Sequence, residues 1–539
     1  MYRDVSIIAK GTQMIQQLSA ITILAFIACY FAVLMLVSYM TGKNTDSESF
    51  FMAGRQSNWV LVAIGMIGAS LSGVTFISIP GKVGVEGANQ DFSYLQVVMG
   101  YMLGYAVVAL VLMPLYYRMK LTSIYTYLEE RLGYYSYKTG SFYFLVSRMI
   151  GSSFRLYLVA IVLQLFAFDA IGIPLAGTVS VILLLIWLYT FRGGLKTIVI
   201  TDTLQTVSML LAVFLTIMFI SNALETSLIS LARDIIKNDM SQIFFFEGGW
   251  TDPNNFFKQF ISGALITIVM TGLDQDMMQK NLSCPNIRDA QKNMLLFSCI
   301  LFISNILFLS LGAALYLYVG SVGIEPPDRS DYLYPIVALS HLPAAAGIVF
   351  ILGLIAAAFS SADSTLTALT TAFCIDFLNF EKRQLSPAEE KSMRTKVHIG
   401  FSVLTLIVIL IFHAWNDEAV INKLFVAAGY TYGPLLGLFA FGILTPLKVR
   451  EVLDLTEYSW GSKLPFWLQR INLVVIICLL APVLSYFIES NSASLLFGFS
   501  FGFLIIALNG MITFVGLLLI SYKEDLVAEE AHPPYDSGE

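Results

Sequence analysis

Apolar residues fall in long blocks separated by short polar segments. The block from Ile21 to Tyr39 runs into GKNTDSES, and GIVFILGLIAAAFSSADSTLTALTTAF, from Gly347 to Phe373, runs into CIDFLNFEKRQ. A block of 18 or more apolar residues is long enough to cross a bilayer as a helix. The pattern predicts thirteen spans: 21–42, 57–80, 93–117, 140–168, 173–191, 196–222, 255–280, 292–319, 343–376, 394–415, 420–445, 465–488 and 493–522, numbered 1 to 13 below. The segments between them leave little room for a soluble domain, so the chain reads as one all-α polytopic membrane unit. The loop stretches LISLARDIIKN (228–238) and TSIYTYLEERLG (122–133) read as interfacial helices, with FFFEGGW (244–250) as an aromatic anchor. The tail, 523–539, is acidic and Pro-containing and is expected to be disordered.

Composition agrees with this pattern. Of the 539 residues, 57% are hydrophobic and 13% charged, against about 25% charged in a soluble domain. A net charge of −6 gives no reason to expect a nucleic-acid partner. The five cysteines show no paired spacing and the four histidines are scattered, which argues against a disulfide framework and a metal cluster. No obligate protein partner is evident beyond the lipid bilayer itself. The N-terminus lacks the basic-then-apolar order of a signal peptide, so span 1 is expected to be retained.

Lys and Arg crowd alternate loops. One set holds Lys43, Arg55, Arg118, Lys120, Arg131, Lys138, Arg192, Lys196, Lys280, Arg288 and Lys292, and continues to Lys523; the other has little beyond Lys82, Arg233, Lys237 and Arg329. By the positive-inside rule the N-terminus lies outside and the C-terminus inside a cell (inner) membrane.

Charges within spans are few: Arg148 and Arg155 in span 4, Asp202 in span 6, Asp274 and Asp276 in span 7, and Asp363 in span 9. Each costs about 3 kcal/mol at the bilayer centre on insertion scales, so such residues face the bundle interior. Interhelical pairing and a functional site are both open for Arg148, Asp274 and Asp276. Asp202 sits only about one turn inside its span, whereas Arg155 and Asp363 are deep and point to a solute or ion pathway. In span 9, Ala357, Ser360, Ser361 and Ser364 share one helix face, an oxygen-bearing stripe that suits either a small cation or close helix packing. In span 2, AIGMIGASLSGVTFISIPG (63–81) is rich in Gly and Ser at mid-span. A membrane helix breaks at such a centre, and its freed carbonyls become cation ligands.

Several motifs resemble the sodium/solute symporter family, which contains the sodium–glucose, sodium–proline and sodium–sialic acid transporters. They are FFMAGR (50–55), GASLSGVTFISIPG (68–81), RGGLKTIVITDTLQ (192–205), DQDMMQK (274–280), AAAFSSADS (356–364) and GYTYGPLLGLFAFGI (429–443), in the family's order. The resemblance implies a leucine-transporter-like core of two inverted five-helix repeats. They would occupy 57–222 and 255–445, with spans 1 (21–42), 12 and 13 (465–522) peripheral. It implies sodium as coupling ion, held by the carbonyls of Gly68, Leu71 and Ala357 and the hydroxyls of Ser360 and Ser361. Some members bind a second sodium, here through Asp202, Ser360, Asp363 and Ser364. Asp363 stands where the sialic acid branch has serine, and sodium, a proton or a side-chain cation are all open as its partner. The resemblance places a small-molecule solute among Ser70, Ser72, Thr75, Tyr94, Gln96, Arg155, Thr271, Asp274 and Gln275. Arg155 resembles the arginine that grips a carboxylate in the sialic acid branch, so an acidic sugar or small carboxylate is expected. The rival is a neutral sugar, with Arg155 neutralised by Asp363 or Asp202.

The expected activity is therefore alternating-access symport, not catalysis. Asp202 and Asp363 lack the motif of an intramembrane aspartyl protease, a sensor normally carries an appended signalling domain, and nucleotide-binding Gly/Lys loops are absent from the sequence.

Overall fold

The computed structural model describes residues 18–41, 51–380, 383, 385–415, 420–457, 465, 469–499 and 501–523. The predicted tail lies outside them apart from Lys523. Each predicted block has a helical counterpart: ten helices are long and apolar enough to cross a membrane, two more spans are bent helix pairs, and Leu175–Thr190 is a shorter apolar helix. One difference is local. Backbone is helical from Leu175 to Ala223, through the loop expected between spans 5 and 6. Gly193 and Gly194 lower helix propensity there, but no proline forbids it.

Burial differs widely among the spans. In the apolar window of span 9 (Ala344–Phe377), 72% of residues are buried, against 17% in span 1 and 22% in span 12. Span 9 packs against spans 6, 4 and 2, and span 2 packs against span 6. Lipid-facing spans need only apolar surface, whereas span 9 meets protein on most sides, which is why its small residues are tolerated along the whole helix.

Both bent pairs have local causes. Span 2 consists of Trp59–Ser70 and Gly73–Lys82, which meet at 58°. Leu71 leaves the helical region (ψ 92°) and Ser72 is extended (φ −94°, ψ −176°). Thr206 of span 6 steadies the first half by donating to the Ile64 carbonyl at 2.9 Å. Span 7 bends by 64° before its second half, Gln275–Leu282. A wide helical turn at Ile268–Gly272 leads into this break, and Asp274 caps the new helix by accepting from the Asp276 and Met277 amides at 3.0 and 3.3 Å. The carbonyls freed here are taken up: Tyr116 donates to Gly272 at 2.9 Å and Tyr125 to Leu273 at 3.0 Å.

The loop helix Leu228–Lys237 buries Leu231 and Ile235 and leaves Ile229 and Ile236 exposed, as an interfacial helix does. The other expected interfacial helix is instead seated in protein: Thr126–Arg131 buries Tyr127 and Leu128 and packs against spans 4 and 11. Its aromatic side chains find partners such as Phe439, stacked on Tyr127 at 5.6 Å.

Candidate functional site

A cavity of about 80 Å³ opens beside the break of span 2. Ser70, Leu71, Ser72 and Thr75 border it from the break, Tyr94, Tyr101 and Tyr105 from span 3, and Thr267, Met270 and Thr271 from span 7. Leu424 and Phe425 of span 11 and Asn305 of span 8 complete the wall. The Tyr94 and Tyr101 hydroxyls stand 3.0 Å apart. Both arginines of span 4, Arg148 and Arg155, reach the cavity.

The two guanidinium groups differ. Arg148 pairs with Asp276 and lies 3.7 Å from Asp274. Arg155 is buried, lines the cavity, and makes no hydrogen bond or ion pair with any described residue; its Nε is without a partner. The expected neutralisation of Arg155 by Asp202 or Asp363 is not found. Asp202 holds Lys280 at 2.7 Å, and Asp363 accepts from the Tyr189 hydroxyl at 2.6 Å.

Six of the nine residues expected around the solute line this cavity: Ser70, Ser72, Thr75, Tyr94, Arg155 and Thr271. Gln96, Asp274 and Gln275 do not, because the protein uses their polar atoms itself. Gln96 donates to the Asn254 carbonyl and to Gln259, both at 2.9 Å. Gln275 accepts from the Ile124 amide at 3.0 Å and donates to the Thr122 carbonyl at 2.7 Å. Asp274 caps its helix and accepts from Tyr432 at 2.7 Å.

The five residues expected to hold sodium come from facing elements. A Cβ at Gly68 would stand 2.5 Å from Ser360 Oγ, so spans 2 and 9 touch there without a side chain between them. No donor among the described residues reaches the Gly68 or Leu71 carbonyl, and Ser360 Oγ is fully buried without a hydrogen-bond partner. Ser361 points back at its own helix, donating to the Ala357 and Ala358 carbonyls at 3.2 Å. Free carbonyls at a helix break and an unsatisfied buried hydroxyl are what a desolvated alkali cation needs, so the residues fit the ion.

The expected second set already contains a cation. Asp202 Oδ2 holds Lys280, Asp363 accepts from Tyr189, and Ser364 donates to Asp276 while keeping its lone pairs; among the described residues Asp202 Oδ1 and Ser360 Oγ have no hydrogen-bond partner. Asp202 is fully buried, so surface proximity does not explain it. Lys280, expected among the loop basics, is 1% exposed. Sequence reasoning also passed over Tyr101, Tyr105 and Asn305. Tyr94, Tyr101 and Tyr105 are spaced by seven and four residues, a one-face helical stripe that was available to find them.

This architecture has known relatives. A substrate-bound, outward-open sodium-coupled sialic acid symporter matches with a TM-score of 0.75 at 19% identity, covering 92% of this chain and 97% of that one. The nucleobase-cation-symport transporter Mhp1 in a closed conformation matches with a TM-score of 0.53 at 12% identity, covering 86% and 92%. The fold is therefore that of the leucine-transporter-like symporters. By sequence the chain is similar to the sodium/sialic acid symporter NanT of Aliivibrio fischeri, at 23% identity over 83% of this chain and 91% of NanT. It is similar to sodium-coupled monocarboxylate transporter 1 of Mus musculus, at 26% over 80% and 69%, and to the sodium/sialic acid symporter SiaT of Proteus mirabilis, at 25% over 77% and 83%. The model of the sodium:solute symporter family matches residues 50–447, and the chain belongs to that family of sodium-coupled membrane transporters.

Proposed function

We propose that this protein couples sodium entry to uptake of a small organic anion, a carboxylate held by Arg155. The observation that carries this reading is the buried Arg155 guanidinium, without a carboxylate partner among the described residues, at the wall of a cavity beside the span 2 break. An arginine fork suits a planar carboxylate, and an isolated buried cation is costly unless a ligand brings the counter-charge. Size supports a short acid. A water needs about 10–15 Å³ of such space, so about 80 Å³ seats only a handful of heavy atoms. An acidic sugar, the solute named for NanT and SiaT, needs the cavity to widen. A neutral sugar is disfavoured because Asp202 and Asp363 are engaged with Lys280 and Tyr189 rather than with Arg155.

The coupling follows from geometry. Sodium between Gly68, Leu71, Ala357, Ser360 and Ser361 ties the break of span 2 to span 9. The same break supplies Ser70 and Ser72 to the solute cavity, so ordering one site orders the other. Sodium affinity that differs between outward-open and inward-open states biases which state is populated. The gradient and the membrane potential, about 2.3 kcal/mol per charge per 100 mV, then drive the cycle. In this reading the repeats are 57–222 and 255–445, with the N-terminus outside and C-terminus inside a cell membrane.

The test is uptake by proteoliposomes of labelled lactate, sialic acid and glucose, with an inward sodium or potassium gradient. Lactate is expected to accumulate with sodium alone, and about 10- to 100-fold less in Arg155→Ala. Accumulation of glucose but of neither acid would refute the anion reading.

A further inference from the structure

Of the four residues assigned to a second sodium, Asp202 already holds a cation, the Lys280 ammonium. Lys280 Nζ sits 2.7 Å from Asp202 Oδ2 and 4.0 Å from Asp276 Oδ1. Asp363 accepts from Tyr189 at 2.6 Å, and Ser364 donates to Asp276. Among the described residues Asp202 Oδ1 and Ser360 Oγ have no hydrogen-bond partner, and Ser360 already serves the first site. Gly68 lies against the same group: a Cβ there would stand 3.3 Å from the Asp202 carbonyl oxygen and 2.5 Å from Ser360 Oγ. A Cβ at Gly65, three residues before Gly68, would stand 3.2 Å from Asp202 Cβ, so Lys280 borders the ion site through the Asp202 side chain. An ammonium carries the charge of a sodium ion, and two cations on one carboxylate repel each other.

We infer that Lys280 is a tethered cation that takes the place of a second coupling ion, so that one sodium binds per chain. The ammonium belongs to the second half of broken span 7 and the carboxylate to span 6. Lys280 thus fastens the half helix after the break to the scaffold beside the ion site. Unlike a second sodium, it does not leave during the cycle. This inference rests on the assignment of the first sodium site, and the experiment separates the two.

The experiment counts radiolabelled sodium bound to purified full-length protein without carboxylate. The wild type is expected to bind one ion per chain with a Hill coefficient of about 1, since the coefficient cannot exceed the number of sites. Lys280→Gln removes the charge and leaves Asp202 free; it is expected to bind two ions, with a coefficient rising toward about 2. Lys280→Arg, and Lys280→Gln combined with Asp202→Asn, are expected to stay at one. Two ions on the wild type overturn the inference, whatever the variants do, and so does a folded Lys280→Gln protein that still binds one. If Lys280→Gln does not fold, the wild-type count decides. Ser361→Ala is expected to bind none at concentrations that saturate the wild type; an ion retained there sinks the first-site assignment instead.

Discussion

Arg148 and Arg155 stand on one helix, seven residues and hence about two turns apart, and both border the same cavity. Their surroundings differ completely. The Arg148 charge is answered by Asp276 and Asp274 from span 7, and Tyr432 donates in turn to Asp274 at 2.7 Å. No carboxylate among the described residues answers Arg155. Two buried arginines of one helix therefore do different work. Arg148 joins span 4 to the second half of span 7, and Arg155 is held ready for something the protein does not supply.

The sharpest way to break this contrast is to remove each charge in turn. Arg148→Ala takes the nearest cation from Asp276 and Asp274, leaving Lys280 at 4.0 Å from Asp276, and losing one partner of a buried ion pair costs about 3–5 kcal/mol. A large fall in melting temperature in detergent is expected, with uptake lost as a consequence. Arg155→Ala removes a charge with no partner, so stability is expected to hold or rise. Carboxylate uptake should fall about 10- to 100-fold, since a charged hydrogen bond contributes about 1.5–3 kcal/mol, while the stabilisation by sodium persists. If Arg155→Ala destabilised as much as Arg148→Ala, the two arginines would share one structural role and the anion clamp would be lost.

The two helix breaks offer a second contrast. At span 2 no described residue donates to the Gly68 or Leu71 carbonyl and a neighbouring hydroxyl has no described partner, whereas at span 7 two tyrosines occupy the freed carbonyls. A methyl group at Gly68 meets Ser360 Oγ and Thr206 Oγ1, both at 2.5 Å, with no space to retreat in a buried ligand cluster. Gly68→Ala is expected to weaken the thermal shift caused by sodium at least tenfold in ion concentration, equivalent to about 1.4 kcal/mol. At Gly272 the groups met are the ends of the Leu112 and Val108 side chains, which can rotate. Gly272→Ala should leave the sodium response in place, and equal loss in both variants would remove the distinction between an ion-binding break and a sealed one.

These contrasts mark where sequence reasoning stopped. Block length and hydropathy are properties of a segment alone, so the spans were legible, and the Gly/Ser-rich centre of span 2 announced its break. Which side chain meets which is a property of pairs. Gln96 and Gln275 sit at plausible depths yet are spent on loop backbone, and nothing along the chain says so. Lys280 follows the polar stretch DQDMMQ, where a lysine reads as a loop residue. Only the meeting of spans 6 and 7 shows that Asp202 draws it inward. Arg155 was legible as a deep charge, but its lack of a partner emerges only once the carboxylates of spans 6, 7 and 9 are placed.

The smallest expected effect concerns the sealed break itself. The Tyr116 hydroxyl donates to the Gly272 carbonyl, and both groups are buried. Tyr116→Phe keeps the ring and deletes the donor, leaving a carbonyl of the bent segment unsatisfied in a place water does not reach. A loss of about 1 kcal/mol is expected, the usual net value of such a bond. It should appear as a modest drop in melting temperature, with sodium binding and carboxylate uptake close to wild type. Tyr125→Phe should behave alike through Leu273, and the pair should cost more than either alone because both donors serve one break. If either substitution instead changed the sodium response, the freed carbonyls of span 7 would belong to ion binding as those of span 2 do. The two breaks would then differ in degree and not in kind.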